Sequence, residues 1–196
     1  MITSERSDKK NMHLGKNEKK ILVVAYSYSG NTHKIAQVIS RMTGGDFCAI
    51  YPSQPYPMSF PELLEQVRKE IAAKYRPRLL PFLYSSHHYD TIFVGSPNWC
   101  GTIAPPLFAW LKGNELSGKD IYPFCSHCGG VPGNMQKDVQ RICKKSKVHK
   151  CLSIINDGGE EIENIVMQYL FENKMFTGER CISESKNRSI RNGGIL

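Results

Sequence analysis

The sequence has no apolar run long enough to cross a membrane. Its longest uninterrupted apolar stretch, Ile21 to Tyr26, has six residues, whereas a membrane-spanning helix needs about 20. The first twenty residues also lack the apolar segment of about 7–15 residues that a secretory signal requires. We therefore expect a protein of the cytoplasm without a membrane partner.

Several common motifs for ligands and metals are missing as well. Neither the phosphate-binding pattern G-x-x-x-x-G-K-[ST] nor the dinucleotide pattern G-x-G-x-x-G occurs, which excludes those two nucleotide-binding classes. No two Cys/His pairs have the spacing of a zinc site. The seven cysteines are odd in number and widely spaced, which favours free thiols in a reducing cytoplasm over a disulfide framework.

Positive charge is in excess, with a formal net charge of +8 over 196 residues. Five of these eight units lie in the polar segments 1–20 and 177–196, whose composition buries too little apolar surface to offset the entropy of an ordered chain. The sequence therefore predicts one domain at 21–176, a disordered N-terminal tail at 1–20 and a polar C-terminal tail at 177–196. Because the domain itself is only mildly basic, we expect no nucleic-acid partner.

Apolar runs alternate with helical patterns throughout the predicted domain. Strands are predicted at 21–26, 47–51, 91–95, 121–125 and 148–155, and helices near 31–42, 60–75, 105–112, 134–144 and 160–171. Strands that alternate with helices of about ten residues form βαβ units around a parallel sheet. The fold class predicted is therefore α/β.

A polar loop, Ser27-Tyr28-Ser29-Gly30-Asn31-Thr32, separates the first predicted strand from the first predicted helix. It combines three hydroxyl groups, a glycine and the free amides of a helix N-terminus, which together favour the binding of an anion such as phosphate. The same loop could serve only as a helix cap, with Ser29 or Asn31 as the capping residue. The residues by themselves leave both interpretations open.

This loop resembles the phosphate loop of flavodoxin-like proteins, whose pattern is [ST]-x-[ST]-G-x-T. The resemblance continues in order through residues 21–155, with matches at 51–57, 94–102 and 124–130. It is greatest to the short bacterial flavodoxins, in which the second flavin loop reads roughly Pro-x-Trp-Trp-Gly-Thr. The resemblance implies a three-layer α/β/α fold, a five-stranded parallel sheet in the order 2-1-3-4-5, and FMN bound at the carboxyl ends of the strands.

The same resemblance implies that two further loops hold the FMN ring. The loop after the third strand offers Trp99, a planar face against which a heterocycle can pack, and comprises Pro97, Asn98, Trp99, Cys100, Gly101 and Thr102. The loop after the fourth strand offers backbone amides to the polar edge of the ring, at Ser126, His127, Gly129 and Gly130. Simpler interpretations stay open: Trp99 as a core aromatic residue, and the glycine-rich loop as a flexible connection.

Two cysteines depart from the pattern of the short bacterial flavodoxins. Cys100 stands where a second tryptophan is usual, and Cys128 stands where glycine is usual. Cys128 also creates a C-x-x-C sequence with Cys125, which can be a redox pair or half of a metal site. Cys125 ends a predicted strand and is expected to point inward, so we expect no metal. We also assign no catalytic residue beyond the flavin contacts.

The leading functional hypothesis is an FMN-dependent oxidoreductase that takes electrons from NAD(P)H and passes them to a quinone or a similar small acceptor. One alternative is a one-electron carrier between protein partners, and another is a non-redox module that binds phosphate or flavin. The mild basicity of the domain counts against the carrier, because carrier flavodoxins are typically acidic. A redox protein partner and a homodimer stay open.

Overall fold

The computed structural model describes residues 20–129 and 133–175. Apart from residue 20, the tails predicted at 1–20 and 177–196 lie outside the described residues. The strands are β1 (Ile21–Ala25), β2 (Asp46–Ala49), β3 (Thr91–Trp99), β4 (Thr102–Ile103), β5 (Asp120–His127), β6 (Lys147–Val148) and β7 (Leu152–Ile155). The helices are α1 (Asn31–Thr43), α2 (Phe60–Ala72), α3 (Pro105–Gly113), α4 (Met135–Ile142) and α5 (Ile162–Glu172).

The central sheet runs in the order β2-β1-β3-β5, with β6 and β7 both paired to the far side of β5. All of these pairs are parallel. With β6 and β7 counted as the fifth strand, the predicted order 2-1-3-4-5 is confirmed. The carboxyl ends of β1, β3 and β5 therefore meet at one edge of the sheet.

Alternating residues of the strands build a separate core on each face of the sheet. On one face, buried residues such as Leu22 and Ile92 pack with side chains from α2, α3 and α4. On the other face, residues such as Val23 and Phe93 pack with side chains from α1 and α5. This arrangement confirms the predicted three-layer α/β/α architecture.

The middle of β3 is packed so closely that only glycine fits there. A Cβ atom at Gly95 would lie 2.1 Å from the Cζ atom of the Phe124 ring. The adjacent Ser96 is buried, and its Oγ accepts a hydrogen bond from the backbone N–H of Ala104 at 2.8 Å. Together these contacts fix the direction in which β3 leaves the core toward the carboxyl edge.

The last predicted strand, 148–155, is interrupted in the structure. Residues 149–151 lie between β6 and β7 and belong to neither strand. Within this segment, the ring of His149 stacks on Tyr122 with the centroids 3.9 Å apart. Its Nε2 atom lies 2.8 Å from Oδ1 of Asp120. Two residues later, the backbone N–H of Cys151 donates to Oε1 of Gln136 at 3.1 Å rather than to β5.

Among the helices of the described segments, none combines the length and the apolar character that a bilayer crossing would demand.

Candidate functional site

The N-terminus of α1 carries no side-chain cap. The backbone N–H of Gly30 donates to Oγ of Ser27 at 3.0 Å, and Gly30 has a left-handed backbone with φ 94°. No side chain bonds to the free amides of the helix, so neither Ser29 nor Asn31 caps it. No acidic residue lies in the first turn. The first turn of a helix leaves its amides without intrahelical partners, so this end of α1 presents donors to an anion.

The hydroxyl of Thr32 is directed into the protein. Thr32 is fully buried, and its Oγ1 lies 2.7 Å from Oγ of Ser126, which is also buried. This hydrogen bond joins the start of α1 to β5, and it brings together two of the three predicted loops. By contrast, Tyr28, Ser29 and Gly30 are exposed.

The segment predicted as a loop after the third strand is instead a β-hairpin. β3 continues to Trp99 and pairs antiparallel with β4, with Trp99 opposite Thr102. Cys100 and Gly101 form the turn, and both have positive φ, 51° and 82°. A two-residue turn with two left-handed residues is of type I′, which matches the twist of the paired strands. The hairpin therefore holds Trp99 on a strand rather than on a flexible loop.

Three tyrosines surround Trp99. The ring centroids of Tyr26, Tyr28 and Tyr56 lie 5.4, 5.9 and 5.0 Å from that of Trp99, with interplanar angles of 80°, 68° and 81°. These are edge contacts, and no described aromatic ring stacks parallel on Trp99. Trp99 packs against the core and remains only half-buried, so its contact with the flavin ring stays a prediction.

The long connection between β2 and β3 contributes directly to this cluster. Tyr28 Oη donates to the carbonyl oxygen of Pro57 at 2.7 Å, and Tyr56 Oη donates to Oε2 of Glu70 at 2.5 Å. Burial is the main cause that raises the pKa of Tyr56, and the neighbouring Glu70 carboxylate adds to it. Tyr56 is therefore a neutral donor. Sequence reasoning did not place Tyr26, Tyr56 or Glu70 at the site; the motif at 51–57 was the available signal.

The loop after β5 packs on the hairpin. A Cβ atom at Gly133, which has φ 73°, would lie 2.7 Å from Oδ1 of Asn98, and the backbone N–H of Asn134 donates to the carbonyl oxygen of Gly101 at 2.8 Å. Closer to β5, Nδ1 of the half-buried His127 accepts from the backbone N–H of Gly129 at 3.2 Å. The predicted site residue Gly130 lies outside the described residues.

The C-x-x-C cysteines differ in their surroundings. Cys125 is buried in the core as expected, whereas Cys128 is exposed. The thiol of Cys125 donates to Oγ of Ser153 at 3.5 Å. A hydrogen bond from the thiol of Cys151 is the main cause that lowers the pKa of Cys125, against the effect of burial. In residues 20–129 and 133–175, no three or more His, Cys, Asp or Glu side chains are grouped to hold a metal ion.

The carboxyl edge thus joins an uncapped helix N-terminus, a hairpin bearing Trp99 and a glycine-containing loop. The model of the flavodoxin family matches residues 20–169 of the chain. The chain belongs to the flavodoxin family. A search of the curated proteins found no match.

Solved structures with this fold include three whose similarity to this flavodoxin is informative. A protein from Bacteroides uniformis, classed as a flavoprotein, has a TM-score of 0.68 at 23% identity over 76% of this chain and 98% of its own. A flavoprotein from Lactobacillus acidophilus, solved in complex with FMN, has a TM-score of 0.60 at 20% identity, over 75% of this chain and 98% of its own. The apo form of an NADH:FMN oxidoreductase has a TM-score of 0.50 at 14% identity, over 79% of this chain and 90% of its own. At these identities the likeness shows a shared fold.

Proposed function

We propose that this flavodoxin is an FMN-dependent oxidoreductase that uses NAD(P)H to reduce a quinone or a similar small acceptor. The observation that carries the proposal is the uncapped N-terminus of α1 at the same sheet edge as the half-buried Trp99. The first feature suits a phosphate and the second suits a planar ring. Tyr28 connects them, because it lies in the first loop and its ring contacts Trp99.

The cofactor predicted from the sequence, FMN, is confirmed by membership of the flavodoxin family and by the FMN complex of the Lactobacillus flavoprotein. The residues of this chain fit the group. In our proposal, the amides of Asn31 and Thr32 and the hydroxyl of Ser29 hold the phosphate, while Ser27 supports the loop through the Gly30 N–H. Thr32 contributes its amide alone, because its hydroxyl is bonded to Ser126.

The ring system would lie between the hairpin and the loop after β5. Trp99 supplies the stacking face, and the backbone from Pro97 to Thr102 lines one side. Ser126, His127 and Gly129 line the polar side. When bound, FMN supplies the redox chemistry, accepting electrons from a reduced nicotinamide and delivering them to the acceptor. The chain's own task is to orient the ring and to restrict the access of water.

A second candidate function, the electron carrier, is favoured by exposed apolar side chains beside the site. Met58 is 92% exposed and Phe60 is 70% exposed. Both follow Pro57, whose carbonyl oxygen is bonded to Tyr28. Exposed apolar side chains of this size are found at docking surfaces for proteins. A carrier would use them to bind a reductase or an acceptor protein.

The test combines FMN binding with anaerobic reduction. Purified chain is titrated with FMN and followed by the visible absorbance of the flavin, and then NADH or NADPH is added alone. We expect bleaching by one nicotinamide and reoxidation by menadione, a small quinone. FMN binding without bleaching would refute the enzyme and support the carrier. Failure to bind FMN would refute both and leave the non-redox module.

A further inference from the structure

A second concave site lies beside the hairpin, away from the loops assigned to FMN. It is a cavity of about 300 Å³ between α2, α3 and α4, at the lower end of the size range of small-ligand pockets. Of the residues predicted to bind FMN, Thr102 alone is among those that line it. The cavity therefore borders the flavin site through the hairpin and is otherwise built from different residues.

The inner surface of the cavity is largely apolar. Ile71 from α2, Phe108 from α3 and Ile142 from α4 line it together with the buried Ile103 of β4. Ile71, Phe108 and Ile142 are only half-buried, so each keeps apolar surface that a ligand could cover. The body of a suitable ligand is therefore apolar, and the Phe108 ring favours an aromatic one.

The two carboxylates that line the cavity already have hydrogen-bond partners. Glu70 accepts from Tyr56 Oη at 2.5 Å and from Gln66 Nε2 at 2.8 Å, one on each carboxylate oxygen. Asp138 is buried and accepts from Thr102 Oγ1 at 2.5 Å. These donors are neutral, so both carboxylates keep their negative charge, but their oxygens already accept hydrogen bonds within the protein.

Three cationic side chains also line the cavity, at Lys74, Lys112 and Arg141. Within the described part of the chain, Lys74 and Lys112 form no ion pair. Arg141 is 71% exposed in its side chain and approaches Asp138 only at 3.5 Å. Each of the three lies near the end of a helix, where the helix dipole favours a cation. The helix dipole accounts for a cation at each helix end, but it does not account for all three cations lining the same apolar cavity.

We propose that this cavity binds an aromatic carboxylate, with its ring system on Ile71, Phe108 and Ile142 and its carboxylate near Lys74 and Lys112. Three cationic side chains line the cavity against two carboxylates, which leaves an excess of positive charge to attract an anion. The inference does not depend on the redox function, because Thr102 alone is shared between the two sites.

The probe for this site is 2-naphthoate, measured by titration calorimetry on the full chain with FMN bound and again without FMN. We expect one binding site in both forms. In the double variant Lys74→Gln/Lys112→Gln, two charge contacts are lost and the affinity should fall about tenfold. Neutral 2-naphthamide should bind more weakly to the wild type, and its affinity should be the same for the double variant.

Two controls locate the binding. Lys174→Gln removes the same kind of exposed charge next to α5, on the opposite face of the sheet, and should leave 2-naphthoate affinity unchanged. Amide chemical shifts in NMR spectra should move at Ile71, Phe108 and Ile142. Absence of binding at millimolar 2-naphthoate would overturn the proposal. Equal affinity of the wild type and the double variant, or a ligand-induced change in the flavin spectrum without shifts at these amides, would also overturn it.

Discussion

Aromatic rings lie at both ends of the central strands, but they pack in different ways. Near the amino end of β5, Tyr122 stacks between Phe93 and His149, with interplanar angles of 24° and 7°. At the carboxyl end, Tyr26, Tyr28 and Tyr56 contact Trp99 at steep interplanar angles of 80°, 68° and 81°. The first arrangement covers the ring faces with protein. In the second arrangement, no described aromatic ring lies parallel to Trp99.

The polar groups also differ between the two ends of the sheet. At the amino end, the imidazole of His149 is paired with Asp120 at 2.8 Å, so the local polar groups are satisfied within the chain. At the carboxyl end, the N-terminus of α1 has no side-chain cap. One end of the sheet is thus closed by packed rings and paired polar groups, while the other carries the uncapped helix N-terminus and the tryptophan that we propose bind FMN.

The largest effect on stability is expected at the amino end. Tyr122→Ala removes a ring that is only 5% exposed and should lower the free energy of unfolding by about 3 kcal/mol, because it leaves a cavity between two packed rings. Urea unfolding measures this change. Tyr28→Ala, the same substitution at a 38% exposed ring, should cost less than about 1 kcal/mol. Similar losses in the two variants would contradict the comparison.

The largest effect on the ligand is expected at the N-terminus of α1. Ser29→Asp places a carboxylate where we propose that the phosphate binds, and repulsion between like charges should weaken FMN binding about 100-fold. Ser29→Asn, which is of similar size and neutral, should weaken it far less. Titration of each variant with FMN, followed by flavin fluorescence, gives the affinities. Without FMN, the Ser29→Asp chain should be no less stable to unfolding than the wild type, since a carboxylate near a helix N-terminus is favourable.

A smaller effect is expected at Trp99. Trp99→Leu removes the stacking face and should weaken FMN binding about tenfold, whereas Trp99→Phe should retain most of the affinity. The same titration measures both variants. If both variants bind FMN as the wild type does, Trp99 is only a core residue. The two ends of the sheet are then less different than the ring geometry indicates.

The smallest effect concerns pH and His33, on the first turn of α1. Burial lowers the pKa of His33, although its ring nitrogen donates to the carbonyl oxygen of Ala25. In the unfolded chain a histidine titrates at about pH 6.5, above the pKa of His33 in the folded chain. As the pH falls, the unfolded chain therefore binds more protons than the folded chain, and the free energy of unfolding should decrease between about pH 7 and pH 5. Urea unfolding of His33→Gln across this range should show a smaller decrease. The exposed His88, changed to Gln, should leave the wild-type decrease intact.

The strands and helices of the sheet were predictable because their apolar spacing reflects burial directly. The order of strands followed from the resemblance of the loops at 27–32, 94–102 and 124–130, and the structure confirms it. The hairpin was missed because Thr102-Ile103 is too short to show a strand pattern, and a non-glycine residue, Cys100, takes the first left-handed position of its turn. The break at 149–151 was missed because it involves a contact between separate elements, in which the backbone N–H of Cys151 donates to the side chain of Gln136 on α4.

The resemblance to the flavodoxins placed the three loops that we propose bind FMN, and the amino-acid sequence by itself determined the α/β class and the limits of most elements to within a few residues. Local propensity and apolar spacing carry that information. Only the tertiary structure decided which polar groups find partners within the protein. Thr32 turns its hydroxyl to Ser126, Glu70 and Asp138 satisfy their carboxylates inside the fold, and Tyr56 reaches Trp99 from the long connection. Such outcomes depend on which distant side chains meet, because a hydrogen bond or a ring contact has a reach of only a few ångströms.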